Sequence, residues 1–496
     1  MIATLRAGLS RPWTIVCAIL LLAAFAIRCA QFGNPLIHVD ENFYLLVGDR
    51  MLHGALPYVD IWDRKPIGLF LLFAAIRLLG GDGIVQYQVV ATLFAAGTAM
   101  LVARMAAPMA GLKAATAAGV VYLLLLGLVG GTGGQAPVFY NLFVAGAALA
   151  TMVATTRPGV SPEHIRRLGA AAMGLVGLAM QVKYTAVFEG VFLGLALMWA
   201  SWRASGRVGR LAVDAALWVG VALAPTLLAL AWYAALGHAD AFLYANFLSI
   251  GDRSGASHQE LLHRLAKAWK ALHIPLFAVL LAALLEPWRG FTNGPRTFGF
   301  ALAWLGTAIV GYVVFGTYFD HYALPLFAPL AVACAPLFAY RPYRFGLVAA
   351  ALMILSGGVA NAVIIRKIQL KRGGQAEITA LVDAIRPRLK GCLYVWNGDP
   401  MLYHLTGSCL PTRYPFAGHL NLLRENGAIG VDQATEVRRI LASRPSVIVD
   451  HQPAARDFNF AVVAIVEAEL KRDYRPVKVV PLRRTRLIVY ERIPGR

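Results

Sequence analysis

Charge is scarce in this chain and negative charge scarcest: Asp, Glu, Lys and Arg make up 15% of 496 residues, with 26 acidic against 46 basic. Hydrophobic residues make up 58%. A soluble domain of that composition would leave much apolar surface in water, so a bilayer is the expected solvent. No short repeat, low-complexity tract or long polar linker is present, which argues against a string of soluble domains. The phosphate-cradling signature of nucleotide enzymes is also missing. Gly130, Gly131, Gly133 and Gly134 are not followed by Gly-Lys-Ser/Thr and read as a flexible turn between spans. The net charge of +20 comes without a nucleic-acid-binding motif, so no nucleic-acid partner is expected. Cysteine is sparse, at five residues. Cys17, Cys29 and Cys334 fall in apolar spans as small packing residues. Cys392 and Cys409 lie in the polar C-terminal region, and their pairing is left open, because sequence does not fix disulfide geometry.

What the chain does have is a succession of apolar runs about 20 residues long. The first, Trp13 to Ile27, follows Arg6 and Arg11 and reads as an uncleaved anchor, since no small-x-small cleavage site follows it. With those arginines inside, residues 30–66 form an outer loop. The next piece, Ile67 to Leu79, is short for a crossing and carries Arg77. It reads as a helix lying in the interface, over residues 67–80. Spans then follow near 84–103, 114–130, 138–154, 168–182, 185–202, 211–236, 272–286, 298–318, 322–340 and 345–365.

This register puts the basic short loops on the cytoplasmic side: Arg104 and Lys113, then Arg157, Arg166 and Arg167, then Arg203, Arg207 and Arg210. Arg289 with Arg296, and Arg341 with Arg344, obey the same rule. A crossing at 67–79 would invert every later loop. The expectation is about eleven spans with the N-terminus inside and the C-terminus outside. Beyond Arg366 the pattern changes. Cys392–Trp396, Ser446–Val449 and Leu487–Tyr490 read as strands, and Glu377–Leu389 and Thr435–Ala442 as helices with charged faces. The fold class is therefore an all-α polytopic membrane protein, residues 1–365, with a small C-terminal α/β extra-membrane domain, residues 366–496.

Chemistry concentrates in the first outer loop, which holds His38, Asp40, Glu41, Asp49, Arg50, Asp60, Asp63, Arg64 and Lys65. Residues 43–52 read as an amphipathic helix with Asp40 and Glu41 at its N-terminal end and Tyr44 one turn on. Asp63, Arg64 and Lys65 precede Pro66, which suits the first turn of the interfacial helix. A carboxylate there can take a proton from an acceptor hydroxyl, and a cation can offset charge building on a phosphate leaving group. His258, Glu260 and His263 do not have standard zinc spacing and read as a polar amphipathic segment, with Asp252 and Arg253 nearby as acceptor contacts.

The run from His38 to Gly81 resembles the start of bacterial GT-C-fold integral-membrane glycosyltransferases. It is most similar to the family 39-like group of dolichyl-phosphate-mannose-protein mannosyltransferases and aminoarabinose transferases. Asp40, Glu41 and Tyr44 match that group's acidic motif, which implies Asp40 as general base or acceptor-orienting carboxylate, with Glu41 in support. Asp63-Arg64-Lys65-Pro66 matches the group's Lys-Pro element, whose lysine contacts the lipid phosphate. Lys183 with Tyr184 resembles a second donor-phosphate position, and Tyr318-Phe319-Asp320-His321-Tyr322 resembles the aromatic-His-Tyr approach to a late span.

The resemblance thus implies donor-phosphate contacts from Lys65, Arg64, Lys183 and His321, and substrate contacts from Tyr44, Asp63, Tyr184 and Asp320. It implies an inner-membrane enzyme with a periplasmic C-terminal domain, acting on a polyprenyl-phosphate-sugar donor and an envelope glycan, lipid or protein acceptor, with membrane lipid around it. It departs from the group in two respects: Gln135 and Asn141 stand where many members place a glutamate, and the position before the Lys-Pro element differs as well. Some relatives place a metal-binding glutamate before the Lys-Pro element, where this chain has Arg64. No cofactor is required by the residues, and a divalent metal is the one addition the resemblance admits. The alternatives weighed are a secondary transporter or lipid flippase of cell-envelope precursors, and a glycan-binding scaffold. Apart from Glu189 and Asp214 the spans are nearly charge-free at their centres, unlike a transport pathway.

Overall fold

The computed structural model describes residues 10–255 and 257–495. Arg6, part of the basic flank assigned to the cytoplasm, lies outside the described residues. Ten helices in them are long and apolar enough to cross a membrane. The longest, Ile84–Leu128, has 45 residues, and a straight helix of that length would run about 68 Å, over twice a hydrocarbon core of about 30 Å. Gly111 interrupts it with φ 73° and ψ 170°, a conformation glycine adopts without the Cβ penalty. A Cβ on Gly119 would lie 3.0 Å from the Ala99 carbonyl oxygen, although a straight helix would separate these residues by about 30 Å. The chain therefore folds back near Gly111, and the spans expected near 84–103 and 114–130 are its two arms. Counted this way, the apolar crossings number eleven.

The chain divides into two compact units. The first comprises residues 1–30, 88–228 and 258–364 and holds most of the long helices. Two buried charges in it are tied down. Asp214 pairs with Arg166 and accepts from the Ser201 hydroxyl at 2.6 Å, so it braces helix ends that carry the basic loops. Arg28, 2% exposed, donates to the carbonyls of Gly131 and Gly133, each at 2.6 Å, and to the Thr92 hydroxyl at 3.0 Å. The glycine run expected as a flexible turn is thus pinned by a buried guanidinium, which replaces lost water with three acceptors.

The second unit joins residues 31–87, 229–257 and 365–496. Its sheet has the order β1 (Leu393–Val395), β2 (Val447–Gln452), β4 (Arg486–Arg492), β3 (Tyr474–Pro481). β1 and β2 run parallel with Tyr394 opposite Ile448, and the other pairs are antiparallel. The three strands and two helices expected from sequence correspond to β1, β2, β4, Gln375–Ile385 and Gln433–Ala442. β3 and the helix Phe460–Asp473 were not foreseen. β3 pairs with β4 alone and carries Pro476 and Pro481, as an edge strand permits.

Alternation sends Tyr394 and Ile448 into one apolar cluster and Leu393, Val395, Val447 and Val449 into another. Trp62 belongs to the first cluster, and Leu36 and Leu46 to the second. Both cores thus take residues from the segment read as the first outer loop, so a boundary at 365/366 does not enclose a complete core. Cys392 and Cys409, 17 residues apart, form a disulfide in this unit. Closing a loop of that length is worth about 3 kcal/mol. Cys409→Ser is expected to lower unfolding stability by about that much, read by denaturant titration of purified protein with and without reductant. The variant should match the reduced wild type, and a midpoint identical to that of the oxidised wild type would refute it.

Candidate active site

The helix Val39–Met51 begins at His38, whose Nδ1 accepts from the Asp40 N–H at 3.3 Å. Asp40 and Glu41 occupy the first turn, where the unpaired amides of a helix start favour a carboxylate. Their exposures differ: the Asp40 side chain is 18% exposed, whereas Glu41 is fully buried. Of the two carboxylates, Asp40 is the one open to solvent. Tyr44 packs its ring edge-on to Phe70 and Phe73, with centroids 6.4 and 5.5 Å away. This helix crosses Ile67–Arg77 closely at Gly48, where a Cβ would come within 2.6 Å of the Ala74 nitrogen. Ile67–Arg77 is eleven residues long, about 16 Å, and the crossing fixes Tyr44 against it.

Lys65 just precedes that helix, whose N-cap is Pro66. Asp63 Oδ1 accepts from the backbone N–H of Arg64 and, at 3.0 Å, of Lys65. This carboxylate turn sets the direction of the Lys-Pro element. The Tyr58 hydroxyl secures the Lys65 carbonyl at 2.8 Å. Lys65 Nζ lies 3.7 Å from Asp63 Oδ1 and 5.7 Å from the Tyr44 ring centre, with the side chain 29% exposed. Asp40, Glu41, Tyr44, Asp63, Arg64 and Lys65 therefore all belong to one unit.

Arg64 departs from the role its neighbour suggested. Its guanidinium donates to Glu425 Oε2 at 2.6 Å, to the Ala428 carbonyl at 2.5 Å and to the Ser249 hydroxyl at 3.0 Å. Arg253 takes the other Glu425 oxygen at 2.5 Å. Both arginines, expected at donor phosphate and acceptor, converge on one carboxylate. Burial works to raise the Glu425 pKa, but Arg64 and Arg253 outweigh it and hold the group below the usual glutamate value. A guanidinium committed this way offers no metal ligand.

Sequence reasoning missed Asn42 and Asp399. The Asn42 amide donates to both Asp399 oxygens, at 2.8 and 2.9 Å, and to the Pro35 carbonyl. Burial pushes the Asp399 carboxyl up to about 7, against the lowering by the Met401 N–H and Asn42. Nearby, Asp49 accepts from Arg77 Nε at 2.9 Å and faces His404 Nδ1 at 3.3 Å. His419 lies edge-on to Trp62, 4.9 Å between ring centres, and burial pulls its imidazole down to about 4. It is neutral at ordinary pH. The helix bearing Asp40 is thus held by C-terminal residues distant in sequence.

The remaining sequence candidates lie in the other unit. Lys183 caps the helix Pro162–Val182, is 8% exposed, and places Nζ 3.7 Å over the Tyr322 ring. Tyr184 opens the short turn Tyr184–Ala186. Asp320 pairs with Lys267, and the His321 ring stacks on Phe319 and meets Tyr322 edge-on at 4.6 Å. Glu260, between His258 and His263 on the helix His258–Leu285, pairs with Arg264, which also donates to the Thr317 carbonyl at 2.7 Å.

Eleven apolar membrane-length segments among the described residues, together with a small mixed sheet, make up a polytopic membrane protein of the GT-C fold. Among solved structures, ArnT from Cupriavidus metallidurans in the apo state matches with a TM-score of 0.66 and 14% identity, over 96% of this chain and 97% of that one. ArnT bound to undecaprenyl phosphate matches at 0.66 and 15%, over 98% and 99%. The archaeal oligosaccharyltransferase AglB from Archaeoglobus fulgidus, in complex with an inhibitory peptide and a dolichol-phosphate, matches at 0.51 and 11%, over 88% and 69%. At such identities the likeness establishes the fold. No protein-family model and no curated protein sequence matches the chain.

Proposed function

We propose that this protein is a membrane glycosyltransferase that moves a sugar from a polyprenyl-phosphate-linked donor to a glycan, lipid or protein acceptor at the periplasmic face. The observation that carries this is the likeness along 98% of the chain to ArnT bound to undecaprenyl phosphate, joined to a crowded polar loop in an otherwise apolar protein. The acceptor hydroxyl attacks the anomeric carbon from the face opposite the leaving group, and the sugar–phosphate C–O bond breaks with inversion. Asp40 takes the hydroxyl proton, and polyprenyl phosphate departs with the bonding electrons. Glu41 and Tyr44 support the acidic turn. Lys65 meets the charge growing on the phosphate, aided by Lys183 and His321, while Asp63 aims Lys65 and Tyr184 and Asp320 serve substrate positioning. Arg64, bound to Glu425, acts through the fold.

The test is transfer of radiolabelled sugar from polyprenyl-phosphate donors in membranes holding equal amounts of wild type and Lys65→Ala. Loss of a preorganised charge contact to the leaving group is expected to slow transfer about 10²–10³-fold. Undiminished transfer by the variant would remove Lys65 from the mechanism. No transfer by wild type from any donor would sink the enzyme reading.

A further inference from the structure

Glu189 is a carboxylate inside a membrane-length helix, Tyr184–Ser205, and is 4% exposed. Among the described residues it has no ion-pair partner, and one hydrogen bond reaches it, from Trp304 Nε1 at 3.1 Å. An ionisable group buried in the first turn of such a helix marks function more often than packing. Glu189 lines a partly open cavity with Lys183, Tyr140, Tyr312 and Tyr322. The Tyr312 hydroxyl is buried with no hydrogen-bond partner among the described residues.

These groups narrow the occupant. A prenyl tail would leave Glu189 and the Tyr312 hydroxyl unsatisfied beside hydrocarbon, which their desolvation disfavours. A simple cation is disfavoured by the Lys183 ammonium in the same wall. A neutral polyhydroxylated ring bearing an anionic group at one end satisfies every member. Its C–H face stacks on the tyrosine rings, its hydroxyls donate to Glu189 and pair with Tyr312, and its anionic end meets Lys183.

We propose that the cavity bounded by Glu189, Tyr312 and Lys183 is the subsite for the donor's sugar ring, with Glu189 reading sugar hydroxyls. This rests on the glycosyl-donor reading above and deepens it, since Glu189 then decides which sugars are accepted.

The experiment measures binding of two lipids to purified, detergent-solubilised protein by native mass spectrometry: undecaprenyl phosphate, and undecaprenyl phosphate carrying mannose. Wild type, Glu189→Gln and Tyr312→Phe are compared, with thermal unfolding as a folding control. Wild type is expected to prefer the sugar-bearing lipid by about tenfold or more, the scale of one charge-assisted hydrogen bond. Glu189→Gln should collapse that ratio towards one while keeping its affinity for the bare lipid, and Tyr312→Phe should reduce the ratio in part. A preference kept in Glu189→Gln, equal loss of both lipids by that variant, or no preference in wild type would each overturn the subsite. Binding of neither lipid by wild type would instead overturn the donor reading beneath it.

Discussion

Asp40→Asn is expected to slow sugar transfer about 10²–10⁴-fold, the span that a positioned general base supplies. The amide keeps the shape of the side chain and can still accept at the helix start, so folding should survive. It cannot take the acceptor's proton. Asp40 lies in the first turn beside His38, 3.6 Å from its ring nitrogen, and keeps enough exposure to meet an acceptor, whereas Glu41 is enclosed. The same substitution at Glu41 should therefore act chiefly on expression and stability. Initial rates at saturating donor, with both variants quantified in the membrane, separate the two. An Asp40→Asn enzyme within a few-fold of wild type would move the base elsewhere.

The second large effect is structural. Glu425 joins Arg64 and Arg253 with a side chain only 4% exposed. Removing one member of such a buried cluster leaves the others uncompensated, and Glu425→Ala is expected to cost about 3–5 kcal/mol. The sign of its pH dependence follows from the depressed folded pKa. The stabilisation is fully present above the ordinary glutamate value of 4.5 and is lost as pH falls through the lower, folded value. Denaturant unfolding should show a wide gap between wild type and variant at neutral pH that closes under strong acid. A gap independent of pH would mean that packing, not the charge, is what Glu425 contributes. The double variant Glu425→Ala with Arg253→Ala should lose less than the separate losses combined, because it removes a stranded cation along with its partner.

The membrane architecture was legible because a bilayer imposes one length on its spans and one charge bias on its loops. Even the Gly111 reversal was implied by Arg104 and Lys113 between two apolar runs. The edge strand β3 was hidden because most of its residues are not buried, so no alternating apolar face announced it. The crowding of charge between His38 and Lys65 stood out against an apolar background. The anchors of that loop did not. Arg64 and Glu425 are 361 residues apart, and Asn42 and Asp399 are 357 apart. In sequence Glu425 and Asp399 look like ordinary polar residues of a soluble segment. Arg64 beside Lys65 looks like a second phosphate contact, and only the carboxylate facing it reveals another use.

The interleaving of the second unit bears on how the protein is made. Residues 31–87 are synthesised well before 365–496, the segment that completes both of their apolar clusters. At about 5–20 residues per second, the early segment waits on the order of 15–60 s with Trp62, Leu36 and Leu46 uncovered. A ribosome that stalls late, or a message truncated after the last crossing, would therefore yield a chain whose spans are all present but whose polar loop has nothing to fold against.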